Sequence, residues 1–373
     1  MSGIIGDNTS ESSGSIATVS GVTTSSSDPA VDTNPSGGVG TMFVNSTSGE
    51  MFICTDDATD ENVWTNVGDG TGSIQLLFQG ESYGYDAGGR TPSASDVIQK
   101  FSFSSDGAAV DVSDLTVARD GVSGTTSLTY GYFAGGYSTE DTIDKHQFAT
   151  TNNATDVGDL ITLAGKGASS NSSTYGYHHG GENPTVGDAG HDVIQKYSYA
   201  SNGDSANVGD AFHLEKAAAG HSDWANAYGY ASGGYSNTVS PAQINVIQRF
   251  SFSSDGDGTD VGNLAVAVSS PGGTSSTTHG YTMGGYLSGV KDHIQKFAFA
   301  SSGDATDIAN LFQLRYHPVG TSSTVSGYTS SGNYATGTAY TVTIDKFSFA
   351  TGADSTDVGD CLAAHTDAAG SHY

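Results

Sequence analysis

Apolar and polar residues alternate with a period of two along much of this chain, the pattern of a β-strand. In Ile98-Gln99-Lys100-Phe101-Ser102-Phe103 that period sets both phenylalanines on one face and Ile98, Lys100 and Ser102 on the other. Both faces therefore carry apolar groups, as a sheet with a neighbour on each side requires. The run returns at Ile143, Ile194, Ile247, Ile294 and Ile344, each time after a Gly-Tyr pair: Gly84-Tyr85, Gly131-Tyr132, Gly176-Tyr177, Gly229-Tyr230, Gly280-Tyr281 and Gly327-Tyr328. Tyr, Phe, Val, Ile and Thr dominate the predicted strands, and Ser, Gly, Asp and Asn fill the turns between them.

Successive Gly-Tyr pairs lie 47, 45, 53, 51 and 47 residues apart. A period near 50 is that of propeller arrays, whose repeats are small sheets unable to bury their faces alone. From each isoleucine to Asp111, Asp156, Asn207, Asp260, Asp307 and Asp357 the count is always 13, whereas from the second glycine of Gly-Gly, or Gly332, to the isoleucine it varies from 7 to 13. Length variation is thus confined to one loop per repeat, on one face of the array. Aligning Asp357 with its counterparts makes Gly370–Tyr373 the strand preceding Tyr83, which joins the last repeat to the first and removes a sheet edge. The expected fold is all-β: a six-bladed β-propeller over residues 80–373, preceded by an extended polar arm (1–39) and a small β meander with linker (40–79). In the meander Met42–Asn45 and Glu50–Cys54 flank a turn, and Trp64 anchors a core. The arm, rich in Ser, Thr and Gly, cannot order itself alone and is expected to be held by a neighbouring copy or a larger assembly.

Charge refines this outline. Six of the 12 Lys and Arg residues, Lys100, Lys145, Lys196, Arg249, Lys296 and Lys346, share one repeat position, 11 residues before the repeat's Asp or Asn. This spacing predicts a structural ion-pair ladder with Asp111, Asp156, Asp260, Asp307 and Asp357 that specifies register more than it stabilises. A net charge of −28 and a pI near 4.3 argue against nucleic acid and anionic membranes as partners. No Lys or Arg precedes Arg90 and no apolar run approaches 18 residues, so neither a secretory leader nor membrane insertion is expected. Cys54 and Cys361 match no metal or disulfide pattern and are expected to be free thiols in a reducing cytoplasm.

The repeat Gly-Tyr-x-x-Gly-Gly, its aromatic strand, and a polar strand ending in Arg119 or Arg315 resemble a kelch repeat, without the usual tryptophan. More closely, Ile-Gln-Lys-Phe-Ser-Phe, Ala-Thr-Asp-Val-Gly-Asp-Leu and Ser-Ser-x-x-x-Gly-Tyr are similar to kelch-like repeats in virion structural proteins of marine tailed phages, including those of cyanobacteria. The segment from Gly40 through Trp64 resembles a short module near the N-terminus of such fibre or appendage proteins. The resemblance implies a virion protein assembled in the host cytoplasm and exposed on the particle. Its residues 1–70 would contact other virion proteins or further copies, and its propeller would attach to a host-surface glycan or protein. A decoration protein without a ligand is the alternative, and a propeller enzyme acting on glycans ranks last.

No catalytic constellation stands out. Gly80-Glu81-Ser82-Tyr83-Gly84 matches a nucleophile elbow, but no helix is predicted after it. His178-His179 reads as an inner-strand pair, and Asp255-Gly-Asp-Gly-Thr-Asp260 as a hairpin turn lacking the terminal glutamate of a calcium loop. No enzyme activity, cofactor or metal is expected. The loop-face binding candidates are Arg90, Tyr137, His191, Tyr235, Tyr286, Tyr334 and Tyr340, whose rings suit stacking on sugars or filling a partner's pocket. For Tyr137, Tyr235 and Tyr286, each directly after Gly-Gly, completing the turn is the simpler role.

Overall fold

The computed structural model describes residues 22–68, 80–137, 140–183, 190–335 and 339–372. Every regular element among them is a strand, and the chain divides into two compact units, Met1–Gln75 and Leu76–Tyr373.

In the first unit β1 (Val22–Ser25) runs parallel to β2 (Met42–Asn45), and β3 (Met51–Asp56) and β4 (Val63–Gly68) complete an antiparallel meander. The core is aromatic: Phe43 meets the edges of Trp64 at 5.5 Å and Phe52 at 6.5 Å. The arm assigned to residues 1–39 is corrected here. Residues 22–38 are held by their own unit, because asparagines supply the partners that this polar stretch lacks. Asn62 donates to the Val31 carbonyl at 2.8 Å, Asn34 to Asp60 at 2.8 Å, and the Trp64 indole to the Thr33 carbonyl at 3.2 Å. Residues 1–21 lie outside the described residues.

The second unit begins with β5 (Tyr83–Arg90), β6 (Val97–Ser102) and β7 (Val110–Asp114). Five sets of four strands follow: β8–β11 (Ser123–Thr126, Tyr130–Ala134, Thr142–Gln147, Thr155–Asp159), β12–β15 (Ala168–Asn171, Tyr175–His179, His191–Ser198, Ala206–Glu215), β16–β19 (Ala219–Asp223, Tyr228–Ser232, Val246–Ser251, Thr259–Asn263), β20–β23 (Gly272–Ser275, His279–Met283, His293–Ala298, Thr306–Asn310) and β24–β27 (Val319–Ser322, Ser326–Ser330, Thr343–Ser348, Thr356–Asp360). Each set is one antiparallel sheet in chain order. The final strand, β28 (Thr366–His372), joins β5–β7 as their fourth member and is longer than the segment expected from Gly370 on. Tyr373 lies outside the described residues. The unit is an all-β, propeller-like set of four-stranded antiparallel sheets.

Neighbouring sheets meet through one repeated contact. The tyrosine of each Gly-Tyr lies against the second aromatic of the next repeat: Tyr85 on Phe148 (4.8 Å between ring centres), Tyr132 on Tyr199 (4.4 Å), Tyr177 on Phe252 (4.7 Å), Tyr230 on Phe299 (5.0 Å), Tyr281 on Phe349 (4.8 Å) and Tyr328 on Phe103 (4.7 Å). The last of these joins the sheet of β24–β27 to that of β5–β7. Burying one such ring contributes roughly 1.5–3 kcal/mol, and each junction between sheets contains one.

The invariant 13-residue spacing has a physical cause. It sets the turn after each aromatic strand so that its backbone bonds the outermost strand of the preceding sheet. Ala154 N–H donates to the Asp114 carbonyl, Ser205 to Asp159, Gly258 to Asp210, Ala305 to Asn263, Ser355 to Asn310 and Ala109 to Asp360, at 2.7 to 2.9 Å. The glycine of Asp-Val-Gly faces the same turn. A Cβ on Gly158 would stand 2.3 Å from the carbonyl carbon of Gly203.

The predicted lysine–aspartate ladder is not formed. Lys100, Lys145, Lys196, Arg249, Lys296 and Lys346 stand opposite Val110, Thr155, Ala206, Thr259, Thr306 and Thr356, one position before the intended acids. Asp111, Asp156, Asp260, Asp307 and Asp357 face Gln99, Asp144, Gln248, Gln295 and Asp345, on the other side of the pleat. Four of the basic groups lie instead over the tyrosine that opens the neighbouring strand, Lys100 at 4.4 Å from Tyr83, Lys145 at 4.2 Å from Tyr130, Lys196 at 4.8 Å from Tyr175 and Arg249 at 4.3 Å from Tyr228. Lys196 and Lys346 reach turn carboxylates of another sheet, Asp255 at 2.5 Å and Asp106 at 2.9 Å. Asp156, Asp260 and Asp357 accept from the N–H of Gly158, Gly262 and Gly359 at 3.1 Å, and Asp307 pairs with His293 at 2.7 Å.

Candidate ligand site at the inner-strand cavity

The innermost strands β8, β12, β16, β20, β24 and β28 line a cavity of about 140 Å³. Halfway along them stand Gly124, Ser169, Gly220, Gly273, Gly320 and Gly370, one per strand, and the strands crowd together there. A Cβ on Gly220 would lie 1.9 Å from the Ser169 carbonyl oxygen, and one on Gly320 2.1 Å from that of Gly273. Ser169 turns its hydroxyl onto the Gly124 carbonyl at 2.7 Å.

Three residues before each of these positions the backbone enters the left-handed region. Gly121, Lys166, Ala217, Ser270, His317 and Asp367 have φ of 71, 56, 53, 57, 54 and 59°. They form a chain of backbone bonds around the mouth: Gly121 N–H donates to the Asp367 carbonyl, Lys166 to Gly121, Ala217 to Lys166, Ser270 to Ala217 and His317 to Ser270, at 2.7 to 2.8 Å. Between His317 and Asp367 the side chains supply the link, Nδ1 to Oδ1 at 2.8 Å. Desolvation raises the Asp367 pKa, but His317, with Lys166 and Arg90 beside it, outweighs this and holds the carboxyl well below the ordinary range.

The next layer outward is built from the residue following each Gly-Gly: Arg90, Tyr137, Glu182, Tyr235, Tyr286 and Asn333. Each stands opposite the residue just before a left-handed one, as in the pairs Arg90–Thr366, Glu182–Gly165, Tyr235–Lys216, Tyr286–Ser269 and Asn333–Tyr316, while Tyr137 N–H donates to the Asp120 carbonyl at 2.6 Å. Lys166 lies 4.9 Å from the Tyr137 ring centre and Lys216 5.7 Å from that of Tyr235. Glu182 takes Lys216 at 3.1 Å and Lys166 at 3.8 Å, while Arg90 reaches Asp120 at 3.5 Å and Asp367 at 3.9 Å. Burial is the main cause that raises the Asp120 pKa.

Four of the sequence candidates, Arg90, Tyr137, Tyr235 and Tyr286, are therefore brought into one layer. Their tyrosines also complete the turns, the simpler role read from the sequence. Tyr334 is exposed and Tyr340 bridges Asn333, placing both beside the same layer. His191 is corrected: it begins β14 opposite Glu215, half-buried, with its pKa lowered by desolvation to about 4, and it is not a loop-tip group. Parts of the variable loops (138–139, 184–189 and 336–338) lie outside the described residues. Sequence reasoning missed Lys166, Lys216, Glu182, His317 and Asp367. Glu182 was marked by its place after Gly-Gly, and for the others the available signal was distance from the inner-strand glycine or its counterpart Ser169, a position not recognised as recurrent.

One concentration of charge separates this end from the rest. Of the 12 Lys and Arg, six occupy the strand position described above, and Arg119 and Arg315 are buried. The other four, Arg90, Lys166, Lys216 and Lys291, all stand on segments forming this end, Lys291 through its N–H to the Gly285 carbonyl at 2.9 Å. The site offers cations, carboxylates and aromatic faces in alternation around a concave mouth, suited to a ligand that presents many hydroxyls at once.

His178, His179 and His221 belong to the scaffold between inner strands. His178 Nδ1 meets the Ser123 hydroxyl at 3.1 Å, His179 packs edge-on against Phe250 at 5.2 Å, and His221 bonds the Ser232 hydroxyl at 2.8 Å and the Thr274 carbonyl at 3.0 Å. Burial lowers all three pKa values, His179 to about 3 and His221 to about 4. The unfolded chain therefore takes up more protons than the folded one below about pH 6.5, and stability contributed by these groups is lost as pH falls towards 4. Buried Glu215, raised by desolvation to about 8, acts oppositely, and its contribution falls as pH rises from about 4.5 to 8. Replacing His221 by threonine, the type found at the corresponding Thr125 and Thr274, should flatten the dependence by about 1.4 kcal/mol per pH unit between pH 6.5 and 4. Guanidinium midpoints of both proteins at pH 7, 6 and 5 measure this, and parallel curves would contradict it.

Set against known proteins, the chain matches no family model and no curated sequence. The class defined by its own geometry is a repeat-built, all-β, propeller-like array with a charged and aromatic mouth.

Proposed function

We propose that residues 80–373 form a closed six-bladed kelch-like propeller. The chain as a whole is read as a phage virion structural protein, a tail or head fibre or appendage, that is fastened through its N-terminal region and presents the channel mouth to a host-surface glycan. The resemblance of the repeats and of the Gly40–Trp64 module supports the virion setting. The observation that carries the binding role is the gathering of Arg90, Lys166, Lys216 and Lys291 with Tyr137, Tyr235 and Tyr286 at one end of a chain of net charge −28. Arg90, Lys166 and Lys216 already face carboxylates, so the alternating pairs recognise hydroxyl groups by donating and accepting together, while the rings offer faces to sugars. No catalytic role is proposed.

The test is adsorption of the full chain to bacterial surface polysaccharides on an array, with Lys166→Ala/Lys216→Ala as the comparison. The expected result is saturable binding by the native chain, and binding about tenfold weaker by the double variant, measured at a temperature where circular dichroism shows it folded. Unaltered binding in the variant would move the site elsewhere. No binding by the native chain would favour a decoration protein.

A further inference from the structure

We infer that Asp86, Cys361 and His365 form a zinc site that fastens the sheet in which β28 meets β5. The three residues come from the two ends of the second unit, Asp86 from β5 and the others from the segment leading into β28. Their ligand atoms all lie within 4.8 Å of one another, and the residues are 1, 5 and 4% exposed. His365 Nε2 lies 2.9 Å from Asp86 Oδ1, and Cys361 Sγ 3.8 Å from Asp86 Oδ2.

The position is singular among the repeats. Cys361 stands where the others have Leu115, Leu160, Ala211, Leu264 and Leu311, and Asp86 where they have Phe133, His178, Ala231, Thr282 and Thr329. His365 replaces Arg119, Ala164, Glu215, Val268 and Arg315. Three positions, packed elsewhere mainly by apolar or hydroxyl groups, thus all carry metal-ligand types at this junction.

The hydrogen bonds supply a second line of argument. His365 Nδ1 is 2.8 Å from the Ala363 carbonyl, which can only accept, so Nδ1 carries the proton. Nε2 faces a carboxylate oxygen at 2.9 Å, the position filled by a shared proton in the metal-free chain and taken over by Zn²⁺ when it binds. Metal-bound histidines are commonly fixed by such a carbonyl. The Ser330 hydroxyl donates to Asp86 Oδ2 at 2.9 Å and orients the carboxylate. Tetrahedral zinc with bonds of about 2.0–2.3 Å separates its ligand atoms by roughly 3.3–3.8 Å. The sulfur–oxygen distance already fits, and the nitrogen–oxygen distance must open by a few tenths of an ångström. Zn²⁺ with one thiolate and one carboxylate is electrically neutral, which suits a buried site, and the mixed sulfur, nitrogen and oxygen set favours zinc over magnesium or calcium. The fourth position falls to a water or to the Ser330 hydroxyl.

The test uses the full chain, stripped of metal and titrated with Zn²⁺ against a chromogenic chelator, and separately with Co²⁺. We expect one Zn²⁺ per chain, a thiolate-to-cobalt absorption band, and a higher thermal midpoint with metal because only the folded chain assembles the site. Cys361→Ala should abolish the band and weaken Zn²⁺ binding by about 100-fold or more, since loss of an outer partner alone costs 10–100-fold. His365→Gln, which keeps a hydrogen bond to Asp86, should weaken it likewise without unfolding the chain, and Cys54→Ala should change nothing. Absence of binding by the native chain, or a cobalt band that survives in Cys361→Ala, would overturn the proposal and leave a histidine–aspartate ion pair in its place.

Discussion

Replacing Arg315 by valine is expected to destabilise the protein by about 3–5 kcal/mol, and adding Asp345→Gln to recover most of that loss. Both side chains are 0% exposed, and the guanidinium sits 2.8 Å from Asp345 Oδ1 while donating to the Thr343 carbonyl at 2.9 Å and the Ser331 carbonyl at 3.1 Å. Removing only the arginine strands a carboxylate without water. The double variant is the arrangement that the chain itself uses elsewhere. Val268 occupies the arginine position of its repeat, and Gln295 the aspartate position of the next, where its Oε1 accepts from Val266 N–H at 2.8 Å. Asp345 does the same for Phe312 N–H at 3.0 Å. Urea midpoints of the single and double variants decide the matter, and equal destabilisation by both would show that the charge pair is not what the arginine serves.

An effect at least as large is expected at the constriction. Gly320→Val should cost more than about 4 kcal/mol or prevent soluble expression, because the new Cβ meets a backbone oxygen, Gly273 O at 2.1 Å, which no rotamer change can relieve. Gly320→Ala should show the same sign with a smaller loss. Ser169 shows that one side chain is accommodated in this layer, where it covers the Gly124 carbonyl. A Gly320→Val protein unfolding within about 1 kcal/mol of the native chain would refute the close approach of the inner strands.

Much of the sheet architecture was legible because it rests on spacing. The fixed interval from isoleucine to aspartate is the reach of a turn onto the preceding sheet, and the variable interval after Gly-Gly is a loop with no such duty. The ladder was misread because counting 11 residues finds a neighbour in sequence register but not its side of the pleat, where a single position reverses the face. The arm was misread because Asn34 and Asn62, polar in composition, act as internal partners for its backbone. The mouth was half legible. Residues after Gly-Gly follow a motif, whereas Lys166, His317 and Asp367 share only a backbone conformation. One signal lay unused in the sequence: Arg119 and Arg315 are followed in the next repeat by Asp144 and Asp345, while the other four repeats have glutamine at that position. The Arg119–Asp144 contact at 2.9 Å and its counterpart are what this pairing predicts.

The meeting of β28 with β5 also bears on how copies of this chain treat one another. Thr366 pairs with Arg90 and His372 with Gly84, so β5 keeps its inner edge bare until the far end of the same molecule returns. At high local concentration an identical segment from a second molecule fits that edge equally well. Refolding at high concentration is therefore expected to yield a larger share of segment-swapped pairs than dilute refolding, a difference that size-exclusion chromatography measures.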